Sequence, residues 1–188
     1  MALAVPPRGV GPIPLGHGRW ATIRPIESSD RVGLLDFYAS LSQESRYTRF
    51  MSMGRGIGPG AAHDFADAHD RGAAGFVAIL REPGARDGEI IGHLCLEPLA
   101  DGAAEVAVAV ADDVRRHGIG HLLMAEAMRA SRELGFRRLV ATMFTGNEGM
   151  RRLLLSAGGR LLRQQCRAGI NFMELSTDPQ DVPGGSLA

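Results

Sequence analysis

The stretch ADDVRRHGIGHLLMAEAMRA, residues 111–130, sets two glycines one residue apart between a run of small apolar residues and an amphipathic helical pattern. Extended chain, tight turn and helix in that order place the segment in a β-α-β unit, because the helix must fold back over a sheet. Gly118 and Gly120 let the backbone approach a ligand with no Cβ in the way. The unpaired amides and partial positive charge of a helix N-terminus suit an anion. Arg115, Arg116 and His117 add charge and donors at the rim.

The rest of the chain fits a mixed sheet with helices on both faces. Strands are predicted over 19–26, 76–81, 89–96, 104–110, 138–143, 160–167 and 171–175. A helix capped by Ser28 or Ser29 runs through Leu41 on a face of Val32, Leu35, Phe37 and Leu41. Others are predicted over 61–69, 119–134 and 147–157, the second of these ended by Gly135. The order is β-α-α-β-β-β-α-β-α-β-β. Proline and glycine crowd residues 1–18, which read as a flexible lead-in, and 177–188, which read as a tail; 19–176 form one domain.

Composition narrows the function. The 21 basic and 21 acidic residues cancel, so no global field draws the chain to nucleic acid or to a membrane surface. No apolar run approaches the roughly 20 residues of a membrane span. The start lacks a signal-peptide pattern, so a cytoplasmic location is expected. Cys95 and Cys166 are isolated, and His63 and His69 lack helical metal spacing, so no metal is expected. His93, within a strand, reads as core or pocket wall rather than as a catalyst.

Three anions compete for the glycine turn. A Walker loop requires a lysine, and the chain has none. A dinucleotide fingerprint requires a third glycine where Leu123 stands and an acid after the next strand, which instead ends in Met143-Phe144. The pyrophosphate of coenzyme A, held by R/Q-x-x-G-x-G/A, matches Arg115-Arg116-His117-Gly118-Ile119-Gly120 completely. With the strand order, this segment resembles the GNAT superfamily of acetyl-CoA-dependent N-acetyltransferases across roughly 19–175. IRPIESSDRVGLLDFYASLSQESRYTRFMS, AEVAVAVADDVRRHGIGHLLM and NEGMRRLLLSAGG are further similar to the protein lysine acetyltransferase branch. In that branch the domain occurs fused to cyclic-nucleotide-binding or acyl-CoA-synthetase-like regions, for which 188 residues leave no room; a stand-alone version is expected.

The resemblance implies the GNAT fold, an α+β architecture around a twisted, mostly antiparallel sheet of about seven strands. It implies that Val108, Ala109 and Val110 bind the pantetheine arm, with a backbone N–H, that of Val110 foremost, as oxyanion donor. The pyrophosphate falls to the amides from Arg116 to His121, with Arg115 at the entrance, and Asn147 contacts pantetheine or orders water. Asn147 is equally a helix N-cap. Glu105 takes the place of the branch's catalytic glutamate, where its Ala and Val neighbours predict a partly desolvated carboxylate; the alternative is a strand-end glutamate facing solvent. Glu89, Glu97 and Asp113 are rival carboxylates, and Asp112 and Asp113 are expected to face outward. The tyrosine that protonates the thiolate in many GNATs is replaced by Leu154, which leaves no evident side-chain acid. Arg46 and Arg49, with Arg55 nearby, either position an acidic patch on a protein substrate or are solvated or internally paired.

The expected activity is acetyl transfer from acetyl-CoA to a primary amine, foremost a protein lysine. A small-molecule amine, a protein N-terminus and a non-catalytic CoA-binding sensor module remain alternatives. Monomer and homodimer are both open.

Overall fold

The computed structural model describes residues 10–51, 56–83 and 88–178. Among them, β1 (Val10–Gly16), β2 (Arg19–Pro25), β3 (Ala74–Arg81), β4 (Ile90–Pro98), β5 (Ala103–Val110), β6 (Arg138–Phe144), β7 (Leu161–Arg167) and β8 (Ile170–Ser176) form one sheet. The order is β1-β2-β3-β4-β5-β6-β8-β7. Only β5 and β6 are parallel. The sheet has one strand more than the seven expected. That strand is β1, inside the stretch read as a lead-in: Ile13 and Leu15 point into the core, and an edge position tolerates Pro12 and Pro14.

β3 and β4 are buried on both faces, which is why they read as nearly continuous apolar runs. On one face α4 (Ile119–Glu133) and α5 (Glu148–Leu155) close a core around Leu94, Leu96, Val106, Leu123, Met124 and Leu139. On the other, α1 (Arg31–Ser40), α2 (Gln43–Phe50) and α3 (Pro59–Ala66) pack over Val77, Ile79 and Ile90. The first helix differs from the prediction in start and face. Ser28–Asp30 is a 3-10 turn with a capping box between Glu27 and Asp30, and α1 buries Leu34, Phe37 and Tyr38 while Val32 lies exposed. A separate helix, α2, follows over residues for which no element was predicted; Ser42 caps it by accepting from the Ser45 amide. Thr177, assigned to the tail, is buried and donates to the Phe136 carbonyl. Arg55, residues 1–9 of the lead-in and 179–188 of the tail lie outside the described residues.

Candidate active site

Strand β5 is held by β4 along its whole length, and β6 by β8 along its own. The two meet each other only through Ala103, Ala104 and Glu105 against Arg138, Leu139 and Val140. Past Glu105 they diverge, and a cleft of about 1300 Å³ opens between them. The Ala111 N–H donates to the Ile91 carbonyl of β4. Strand alternation therefore turns the N–H and C=O groups of Val106, Val108 and Val110 away from β4 and into the cleft. Backbone groups left unpaired at a strand edge are a template for an extended ligand. Ala109 lines the cleft too, but its own amide is directed at β4, so the predicted trio contributes two backbone positions rather than three.

The turn at the open end takes the left-handed conformation twice, at Arg116 (φ 68°) and at Gly118 (φ 84°). Gly118 was expected to allow close backbone approach and Arg116 to supply a rim charge; the left-handed turn at both positions was not foreseen. Gly118 is the N-cap of α4 and offers no side chain to its first amides. The N–H groups of Ile119, Gly120 and His121 are thus left for a ligand at the cleft wall. Ile119 is buried and contributes backbone alone.

Of the predicted residues, Glu105, Val108, Ala109, Val110, Arg115, Arg116, Gly118, Ile119, Gly120, His121 and Asn147 all line this one cleft. His117 does not. Its Nδ1 lies 3.2 Å from the Val114 carbonyl and 3.1 Å from that of Arg115, so the ring braces the turn. Asn147 Oδ1 accepts from the Met150 amide at 3.0 Å, so it caps α5 while standing at the cleft wall. Arg115 is only partly free: its Nη2 donates to Ser45 Oγ at 2.7 Å and pairs with Asp112 at 3.1 Å. Asp112 is exposed and stands outside the cleft lining, as expected, yet it is not idle. It accepts from the Ser42 amide at 2.9 Å and the Ser45 hydroxyl at 2.6 Å, tying α2 to the turn. These bonds hold its carboxyl below the usual range against the opposing effect of burial.

Glu105 lies at the point of divergence and is exposed because β6 recedes beyond it, which matches the solvent-facing alternative and not the partly desolvated one. Its rivals are elsewhere. Glu97 is engaged by Arg71 at 3.1 Å, and neither Glu89 nor Asp113 lines the cleft. Glu44 and Glu148, at the starts of α2 and α5, do line it and were missed, because a glutamate in a first helical turn reads as ordinary helix chemistry. Leu154 is wholly buried in the core, so that position does not face the cleft.

Helix α2 roofs the divergence. Tyr47 stacks on Phe144 of β6 at 4.8 Å and 18°. Arg46 turns inward to the carbonyls of Ala39 and Leu41, the paired alternative for that residue. Arg49 lines the cleft and donates to Cys95 Sγ at 3.3 Å. Below it the Tyr38 hydroxyl lies 2.8 Å from Nδ1 of His93, which is wholly buried, as a core histidine would be. Burial pushes the Tyr38 hydroxyl up to about 12, so it stays protonated and donates to His93.

Residues 36–158 match the acetyltransferase (GNAT) family. An acetyltransferase of Pseudomonas aeruginosa is 30% identical over 150 residues, 77% of either chain. Acetyltransferase Pat of Mycolicibacterium smegmatis is 27% identical over 181 residues; the match covers 91% of the present chain but spans half of that relative's length. Among solved structures, the GNAT domain of Streptomyces lividans PAT superposes with a TM-score of 0.72 at 26% identity, covering 83% of this chain and 90% of that one.

Proposed function

Since the chain belongs to the acetyltransferase (GNAT) family, we propose that it transfers the acetyl group of acetyl-CoA to a primary amine, the side chain of a lysine in a protein. The observation that carries the reading is the convergence on one cleft of the free edge of β5, the uncapped start of α4 and Glu105. An extended pantetheine arm hydrogen-bonds along Val106, Val108 and Val110 as an added strand would. The pyrophosphate rests on the amides of Ile119, Gly120 and His121. The Val110 N–H receives the charge that develops on the thioester oxygen. Glu105 takes a proton from the substrate ammonium. The freed amine forms the N–C bond to the thioester carbon, the C–S bond breaks as that adduct collapses, and the proton shed by the nitrogen passes to the thiolate, directly or through water, so that it leaves as CoA. Donor binding finds a parallel in a Salmonella typhimurium neighbour of the same fold, described with its cofactor acetyl-CoA.

The choice of a protein lysine is supported by the similarity of the SQESRYTRF and AEVAVAV segments to the lysine acetyltransferase branch. An open cleft carrying Glu44, Glu105 and Glu148 suits a cationic side chain presented on a polypeptide. Acetyl-CoA turnover over a panel of proteins and small amines tests this. The expected product is acetyl-lysine on a protein, and the signal belongs wholly to the acceptor because the enzyme has no lysine of its own. Turnover confined to small amines or to protein N-termini would overturn the assignment.

A second expectation concerns the donor alone. Gly118→Val forces a β-branched residue into φ 84°, at a cost on the order of 1–3 kcal/mol, so the turn rebuilds and the α4 amides leave their positions. Acetyl-CoA affinity, read by calorimetry, falls by about tenfold or more, since 1.4 kcal/mol is a factor of ten. Unchanged affinity in the folded variant would show that the turn does not hold the donor.

A further inference from the structure

Arg49 is a charged cleft residue that neither the donor nor the proton transfer uses. Its guanidinium is half-buried, its Nε is shielded from water without a hydrogen-bond partner, and among the described residues no carboxylate pairs with it. Arg24, Arg129 and Arg138, half-buried like it, each reach a carboxylate. The partners Arg49 does have are weak ones. Besides the Cys95 thiol and the neighbouring Tyr38 hydroxyl, these are the faces of Phe50 and Phe65, 5.0 and 6.0 Å from Cζ. A cation in such a place favours an incoming counter-ion, and its planar fork favours one with two oxygens.

Register locates this cation relative to the chemistry. Cys95 stands opposite Ala107, and Glu97 opposite Glu105. Residues two apart on a strand share a face, so Cys95, which the guanidinium touches, and Glu105 lie on one face of the sheet, two residues apart along the strands and one strand apart across them, roughly 8 Å between the two positions. Resting on the acetyl-transfer reading above, we infer that Arg49 selects the acceptor: the substrate carries a carboxylate on the order of 8 Å from its reactive amine, and Arg49 binds that carboxylate while Glu105 meets the amine. An acidic side chain beside a target lysine supplies such a group, and so does the carboxylate of a free amino acid.

Two matched pairs of probes separate these sources, with binding measured by calorimetry in the presence of CoA. One pair is a capped peptide with aspartate next to its single lysine and the same peptide with asparagine. The other is free lysine and cadaverine, which differ by one carboxylate. The wild-type protein is expected to prefer the acidic member of at least one pair by about tenfold or more. Preference within the peptides assigns the group to a polypeptide, and preference within the free amines assigns it to a metabolite. Arg49→Met abolishes the preference, and Arg49→Lys, which keeps the charge but loses the fork, retains part of it. Arg49→Met is also expected to melt no lower than wild type, because it removes an uncompensated charge. No preference in the wild-type protein, or the same preference in Arg49→Met, overturns the inference. Acetyl-CoA turnover measured on the same probes keeps the two ideas apart. Turnover without preference sinks only the anion site, whereas Arg49-dependent preference without turnover on any amine sinks the transfer reading alone.

Discussion

Glu105→Gln is expected to lower turnover of a confirmed acceptor by roughly 100- to 10,000-fold at neutral pH, the range for loss of a positioned general base. Acetyl-CoA affinity is expected to stay within about twofold of wild type, because the donor positions are backbone groups of β5 and α4 that the substitution does not touch. Glutamine keeps the side chain's shape and hydrogen bonding and removes only its capacity to take a proton. The deficit should therefore narrow as pH rises toward the ordinary lysine value near 10.4, where the amine loses its proton unaided. Steady-state rates from pH 7 to 10, together with a calorimetric titration of acetyl-CoA, check both halves. Full turnover in the glutamine variant at pH 7 would sink the base assignment and direct attention to Glu44 and Glu148, the other carboxylates of the cleft.

The second large effect is on stability and arises from His93. In the unfolded chain its imidazole takes up a proton near pH 6.5. In the folded protein burial, reinforced by the Arg49 guanidinium, pushes that value down to about 3. Between those two values the unfolded chain binds more protons, so stability is full above pH 6.5, falls as pH drops below it, and the loss is complete near pH 3. At about 1.4 kcal/mol per pH unit the loss is ~2 kcal/mol at pH 5 and roughly 4–5 kcal/mol at pH 3. For a domain whose whole stability is of the order of 5–15 kcal/mol, that is a large fraction. His93→Gln is expected to be less stable at pH 7.5, since it disturbs the bond to Tyr38, yet less sensitive to acid. Denaturant unfolding at pH 7.5 and pH 5 measures the difference: the wild-type loss should exceed that of the variant by ~2 kcal/mol. Equal losses would mean that another group governs the acid response.

Much of the site was legible before the structure because its determinants are local. The alternation of AEVAVAV, the glycines at 118 and 120 and the periodicity of Ile119, Leu123 and Ala127 specify strand, turn and helix from neighbours within four residues. Where reading failed, the decision rested on distant partners. Strand β1 hid in a proline-rich stretch because only its place at the sheet edge makes those prolines tolerable. The short helix α2, with a polar sequence, is stabilised less by its own pattern than by Ser42 at its start and by Asp112. Glu105 reads in sequence as partly desolvated or as facing solvent, and it is exposed because the course of β6 decides its surroundings.

The sequence by itself determined that a strand leads through a glycine turn into a helix whose first amides lie open to an anion. It also determined that a carboxylate begins that strand. The tertiary structure alone decided that β5 and β6 part company after Glu105, since each is held by a different outer neighbour. It alone decided that Ser45 would clasp Arg115 and Asp112 across 70 and 67 residues, and that Arg49 would reach Cys95 across 46. The physical reason is range. Backbone propensity and side-chain periodicity record only what happens within a turn or a strand step. A contact between residues far apart in the chain leaves no periodic trace in either segment and exists only once the sheet has brought them together.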